Sequence, residues 1–282
     1  MLKATFDIIP DSIADGNLQN NMLLMEVSDQ IFCYVLYNRE SQRFLGFRQY
    51  NLDFIPGKTP LEALSEILSG DEHLQRQFAE AYLVYHYTDS NLIPEKFFAI
   101  DLNKPITEIV YGNAQKGLLL NDKVQGWDLY NIYRIPREVH SLLQQKFSAG
   151  NYWHYNTLLL SGVNRESLEG DTIKVVIAAD KFAVVAFKGQ QLQLAQSYHY
   201  QTPEDVSFQL LALALQFGID QESVNLKVSG LMDEQSILYQ ELLKYFNQLE
   251  WERLPGETST EEGFENFPSH YFSPLLKMAL CV

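Results

Sequence analysis

The sequence predicts an α/β protein in which one β-β-β-α-β-α-β unit is used twice. Three observations predict it. Residues 22–50 and 174–200 both read as three-stranded meanders whose first turn carries an aspartate. Each meander is followed by a Thr-Pro pair that opens an apolar-periodic run. Behind each run comes an apolar stretch of strand length, then a second helical pattern. Two such units with matching punctuation indicate duplication.

In the first unit MLLMEVS (22–28) is an apolar run, Asp29-Gln30 turns it, and IFCYVLY (31–37) returns. NRES (38–41) turns again, and QRFLGFRQY (42–50) is the third strand. Thr59-Pro60-Leu61-Glu62 has the chemistry of a helix start. The threonine hydroxyl accepts from a free backbone N–H, and proline removes an N–H that would go unpaired. The carboxylate three residues after the cap suits the positive end of the helix. Leu61, Leu64 and Leu68 give a short helix ending near Gly70, and AYLVYHY (81–87) is a buried strand. EIVYG (108–112) reads as a further short segment and DLYNIYRI (128–135) as a strand. A helix follows from Pro136 to Phe147, and a helix or apolar segment over Tyr155 to Leu160.

The second unit repeats the plan with KVVIAA (174–179), a turn at Asp180-Lys181, FAVVAF (182–187), a turn at Lys188-Gly189, and QQLQLAQSYHY (190–200). Thr202-Pro203-Glu204-Asp205 starts a helix whose inner face is Val206, Leu210, Leu213 and Phe217, and Gly218 stops it. NLKVSGL (225–231) is the buried strand, and Leu238, Leu242, Tyr245 and Leu249 form the inner stripe of the next helix. A last strand runs from Trp251 to Leu254 and ends at Pro255. A loop at 256–265 leads to a closing helix, HYFSPLLKMALCV. The spacing from aspartate turn to Thr-Pro cap is 30 residues in the first unit and 22 in the second, a difference that loop insertion accommodates at little cost.

With 282 residues the chain is comfortable as two domains, and 46% hydrophobic and 13% aromatic residues supply large cores without staples. The two cysteines, Cys33 and Cys281, imply no disulfide framework and fit a reducing compartment. No N-terminal signal peptide is recognisable, and the apolar runs fall well short of the ~20 residues that span a bilayer. A cytoplasmic location without membrane insertion is expected. The formal charge of −15 disfavours nucleic acid, which needs a basic face.

Several chemistries lack their residues. Neither G-x-x-x-x-G-K-[ST] nor G-x-G-x-x-G occurs, and G-x-S-x-G is absent. The six histidines form no H-x-x-x-H pair and the cysteines no C-x-x-C, so zinc is not expected. His86, in an apolar strand, reads as a satisfied core histidine, and Cys33 as a small buried apolar group. The aromatic stretches NYWHYN (151–156) and YHYQT (198–202) read equally as recognition surface or as packing between domains.

This element order resembles the actin-like ATPase superfamily, whose members include actin, heat-shock chaperones, sugar kinases and bacterial pilus-assembly and secretion-platform proteins. The sequence as a whole also resembles a Bacteroidetes family known as a domain of unknown function. The resemblance implies two ribonuclease H-like domains, residues 1–165 and 166–282, with the closing helix 270–282 able to pack back toward the first. The superfamily's first phosphate loop, Asp-x-Gly-[Ser/Thr], falls on Glu26-Val27-Ser28-Asp29. The second falls on Ile177-Ala178-Ala179-Asp180, and the adenosine-side glycine motif on Val228-Ser229-Gly230-Leu231. If a nucleotide binds, the resemblance assigns its contacts to Glu26, Ser28, Asp29, Asp180 and Gly230, with ATP and Mg²⁺ as the cofactor.

The departures point the other way. Serine and alanine stand where glycine lets the backbone approach a phosphate, and isoleucine replaces the second carboxylate. Asp29 and Asp180 would both face the triphosphate, at ~1 kcal/mol per like-charge pair in water and about 4 near a protein surface. The ribonuclease H core also serves nucleases, but these need several carboxylates on two metals, and Glu26 alone lies in a first strand. The expectation is therefore a cytosolic interaction or scaffold protein with no catalytic residues, metal or cofactor, and with a protein partner. The alternative is a nucleotide-binding sensor, or a weak ATPase or kinase using a divergent cleft.

Overall fold

The computed structural model describes residues 3–10, 13, 19–53, 57–112, 117–252, 254 and 259–282. The first meander is β2 (Met22–Val27), β3 (Ile31–Asn38) and β4 (Arg43–Asn51); β1 (Phe6–Ile8), not foreseen in the sequence, pairs with β4. Helix α1 (Pro60–Gly70) leads to β5 (Glu80–Tyr85), which lies parallel to β2, and α3 (Arg137–Lys146) leads to β9 (Asn151–His154), parallel to β5. Between β5 and α3 an insert builds its own sheet from β6 (Ser90–Pro94), β7 (Gly117–Lys123) and β8 (Leu129–Pro136), together with α2 (Asn103–Tyr111). Helix α4 (Tyr155–Ser161) follows β9.

The second unit has β10 (Thr172–Ile177), β11 (Lys181–Lys188), β12 (Gln191–His199), α5 (Pro203–Phe217), β13 (Asn225–Gly230), α6 (Ile237–Leu242) and β14 (Gln248–Trp251). The chain then returns to the first sheet. Strand β15 (Ser259–Thr260) pairs with β4, and α7 (Ser273–Cys281) closes the fold.

The two sheets are separate and share one strand order. The first reads β4-β3-β2-β5-β9 at its centre and the second β12-β11-β10-β13-β14. The correspondence extends to irregularities. In each unit the second strand carries a register shift between its sixth and seventh residues, Leu36/Tyr37 in β3 and Ala186/Phe187 in β11. Both helix starts form the full capping box, Thr59 with Glu62 and Thr202 with Asp205, with proline just inside.

Strand alternation divides the core. Leu23, Met25 and Val27 of β2 face α1 and α3, while Met22 and Leu24 face the other way, toward α4 and α7. In the second sheet Val175 and Ile177 pack under α5 and α6, and Val176 and Ala183 join the layer shared with the first sheet. Helix α7 belongs to that shared layer: Leu275, Leu276, Met278 and Ala279 are buried with Met22, Leu24, Cys33 and Val35. The insert reaches the second sheet through Val124, which clusters with Val185, Phe187 and Ala195.

Three sequence expectations change. EIVYG is not a separate segment but the last turn of α2, which leaves Ile109 and Val110 exposed. The helix expected to carry Leu249 ends at Leu242, because tight turns at Lys244–Phe246 fold Phe246 into the core. The strand expected at Trp251 to Leu254 therefore comes earlier, as β14, with Leu249 inside it. Residues 253 and 255–258, at that strand's expected end and in the loop after it, lie outside the described residues.

Candidate functional site

The two hairpin turns, Ser28–Gln30 and Ala178–Asp180, meet across the layer between the sheets. They are built alike. Ser28 N–H donates to Ile31 O at 2.8 Å and Ala178 N–H to Lys181 O at 2.9 Å. Beyond them His86 N–H donates to Val27 O at 2.9 Å and Leu231 N–H to Ile177 O at 2.8 Å. This register corrects the sequence alignment of the loops. Val27 and Ile177 both end their strands, so Glu26 corresponds to Val176, which faces the cleft, and not to Ile177, which faces the helix layer. The two turn aspartates are likewise offset by one: Asp29 matches Ala179, and Asp180 matches Gln30.

At the position of Ile31 the second unit has Lys181, and this residue dominates the cleft. Its side chain is 0% exposed. Its Nζ donates to Asp29 Oδ2 and to the carbonyl oxygen of His86, both at 3.2 Å, and lies 3.5 Å from Asp180 Oδ2. One ammonium thus ties the first hairpin, the end of β5 and the second hairpin together. Asp29 is half exposed, whereas Asp180 is buried and, among the described residues, forms no hydrogen bond through either carboxylate oxygen; the His199 ring lies 3.6 Å away. A carboxylate buried without hydrogen bonds needs a cation close by, and Lys181 supplies it.

Ser28 does in this turn what the missing glycine does not. Its Oγ accepts from Ile31 N–H at 3.0 Å and so fixes the turn through the side chain. Gly230 keeps a backbone that glycine alone suits, at φ +86°. The demand comes from packing: a Cβ there would sit 2.1 Å from the carbonyl oxygen of Ile177 on the paired strand.

Glu26 accepts from His86 Nδ1 at 2.8 Å, and Cys33 Sγ donates to it at 3.9 Å. Burial keeps the His86 imidazole below its ordinary pKa despite Glu26, and burial pushes the Cys33 thiol well up, so neither a charged histidine nor a thiolate is offered. Ser197 Oγ lies 3.4 Å from His86 Nε2, completing the order serine, histidine, carboxylate. The trio fails as a hydrolytic triad on access. Ser197 and His86 are buried, Ser197 does not line the cavity, and the His86 ring is stacked on Tyr155 at 3.7 Å between centroids. It acts as a bridge between the two sheets instead. The bridge continues through Asn156, Ser90, Asn131 and Thr157 to Asp122, each buried and hydrogen-bonded to the next.

The cavity left between the hairpins is about 60 Å³, far below the ~300 Å³ at which small-molecule pockets begin. Tyr271, Phe272, Pro274 and Leu275, at the start of α7, form one wall of it. Of the five residues to which the resemblance assigned nucleotide contacts, Glu26, Ser28 and Gly230 line it, and Asp29 and Asp180 lie on Lys181. Among the described residues no group of three metal-ligating side chains comes together, and no helix is long and apolar enough to cross a membrane. Lys181 was missed in the sequence. Its signal was there: one lysine at the head of a strand in which the next six residues are all apolar.

A family profile described as "Protein of unknown function (DUF3822)" matches residues 11–249. The chain belongs to the DUF3822 family. Comparison with curated proteins gives no match. Among solved structures, a Bacteroides thetaiotaomicron VPI-5482 protein of actin-like ATPase fold and unknown function superposes with a TM-score of 0.77 at 15% identity, covering 93% of this chain and 96% of that one. The PilM–PilN type IV pilus biogenesis complex gives a TM-score of 0.60 at 9% identity, covering 92% and 96%. This DUF3822 protein has the actin-like ATPase fold, as the duplicated element order implied.

Proposed function

We propose that this DUF3822 protein is a non-catalytic interaction protein whose actin-like cleft is closed by its own side chains. The observation that carries the reading is Lys181. It places a buried cation between the two hairpins, where the resemblance puts a triphosphate and its Mg²⁺, and the start of α7 takes up the adjoining space. To admit a nucleotide the chain would have to withdraw that ammonium from two aspartates and move Phe272 out of a five-ring aromatic cluster with Phe6, Phe47, Phe264 and Phe267.

Binding of a protein partner is supported by exposed apolar side chains on the insert, Phe97, Ile100 and Ile109, at 62%, 76% and 83% exposure. The PilM–PilN complex is, by its name, an assembly of proteins that includes a chain of this fold. The charge of −15 steers toward a basic partner.

Thermal melts of the purified protein with ATP, ADP and GTP, each with and without Mg²⁺, test the reading. The expected outcome is no saturable shift and no phosphate release. A saturable rise in Tm would return the protein to the alternative, a nucleotide sensor.

A further inference from the structure

Helix α5 carries two apolar faces. Val206, Leu210, Leu213 and Ala214 are buried against the second sheet. Phe208, Leu211, Ala212 and Leu215 follow at the i, i+3, i+4, i+7 spacing of a second stripe. Phe208 is 72% and Leu215 85% exposed, Ala212 is exposed, and Leu211, half-buried, joins the stripe to the core beneath it. Its ends carry opposite charges. Glu204, exposed, lies one turn before Phe208. At the other end Lys188 Nζ donates to Phe217 O at 3.2 Å and lies 3.1 Å from where a Cβ on Gly218 would begin.

The stripe therefore reads acid, apolar, base, a pattern complementary to itself when inverted. We propose that a second copy of this chain docks on it, with the two α5 helices antiparallel about a twofold axis between Leu211 and Ala212. That axis sets Phe208 against Leu215 of the other copy, Leu211 against Ala212, and Glu204 against Lys188 at both ends. Ala212 leaves room for the helix axes to approach to ~8–10 Å, and antiparallel helix dipoles favour the arrangement. A foreign segment with a uniformly basic flank would match Glu204 but meet Lys188. One helix pair falls below the ~1,200 Å² of a standard interface, so the dimer is weak and concentration-dependent. The surface lies on the outer face of the second sheet, so this inference stands independently of the closed cleft.

Sedimentation equilibrium of the full chain, from the micromolar to the millimolar range, tests it. The wild type should dimerise, and Leu215→Glu should be monomeric throughout, with an unchanged circular dichroism spectrum. Glu204→Lys and Lys188→Glu should each weaken the dimer at least tenfold, and the double variant should restore it. A wild type monomeric at every concentration, a dimer indifferent to Leu215→Glu, or a double variant no better than the singles would overturn the proposal.

Discussion

The ammonium of Lys181 serves two carboxylates that depend on it unequally. Asp29 is half in water, so its share of the pair is worth little. Asp180 is buried, and removing the ammonium would leave its carboxylate facing only the His199 ring, 3.6 Å away. Breaking a buried pair from one side costs about 3–5 kcal/mol. Lys181→Met should lose stability of that order in urea denaturation, and adding Asp180→Asn should recover part of it. No recovery in the double variant would mean that the lysine acts through packing alone. Asp122 is the second buried carboxylate with consequences. It accepts from His154 N–H, Thr157 Oγ and Tyr133 OH, yet burial still pushes its pKa up to about 6. A folded pKa above the unfolded one means that stability is present in full below about pH 4 and is lost as pH rises through about 6. The shift of roughly two units corresponds to ~3 kcal/mol. Asp122→Asn should therefore flatten the difference in unfolding free energy between pH 4 and 7, whatever its absolute stability; an unchanged slope would remove Asp122 as the source. At this scale the sequence was half legible. Glu26, Ser28 and Gly230 could be placed at the cleft because motif positions mark them. Lys181 and Ser197 could not, because their roles exist only once two distant hairpins and β12 are brought together.

Turn and cap chemistry carried most of the element order. The meanders, both Thr-Pro starts and the strand after each helix were legible because each is a local signal: alternating apolar runs, a hydroxyl before proline, a glycine stop. The insert was less so. The exposed apolar end of α2 breaks the rule that a helix hides its Ile and Val, and so EIVYG did not read as helix. Helix α6 read too long because Leu249 keeps its periodicity across a turn that buries Phe246. The loop alignment slipped by one residue because the aspartates look equivalent in sequence, while the hydrogen bonds that close the hairpins show that they are not. Gly230 links element to site. Its positive φ and its contact with Ile177 set how closely β13 approaches β10. Gly230→Ala must push two paired strands apart, and should destabilise by more than the ~1 kcal/mol that a compatible Gly→Ala exchange gains. A calorimetric Tm close to wild type would contradict that.

At the scale of the whole molecule, two copies of one unit share a layer occupied by α4 and α7, and side chains from both units and from the start of α7 line the small cavity between the hairpins. Three sets of contacts occupy this layer: the Lys181 ammonium between the hairpins, the Glu26–His86–Ser197 bridge between the sheets, and the aromatic cluster at the start of α7. On the reading proposed above, these groups close the cleft to a nucleotide, beyond what the loss of the phosphate-loop glycines would do. The measurement that tests this most directly is a crystal structure grown in millimolar ATP with Mg²⁺. The account predicts Lys181 Nζ within hydrogen-bonding distance of Asp29 and the His86 carbonyl, Phe272 in its aromatic cluster, and no nucleotide between the hairpins. Triphosphate density between Ser28 and Ala178, with Lys181 displaced, would contradict it.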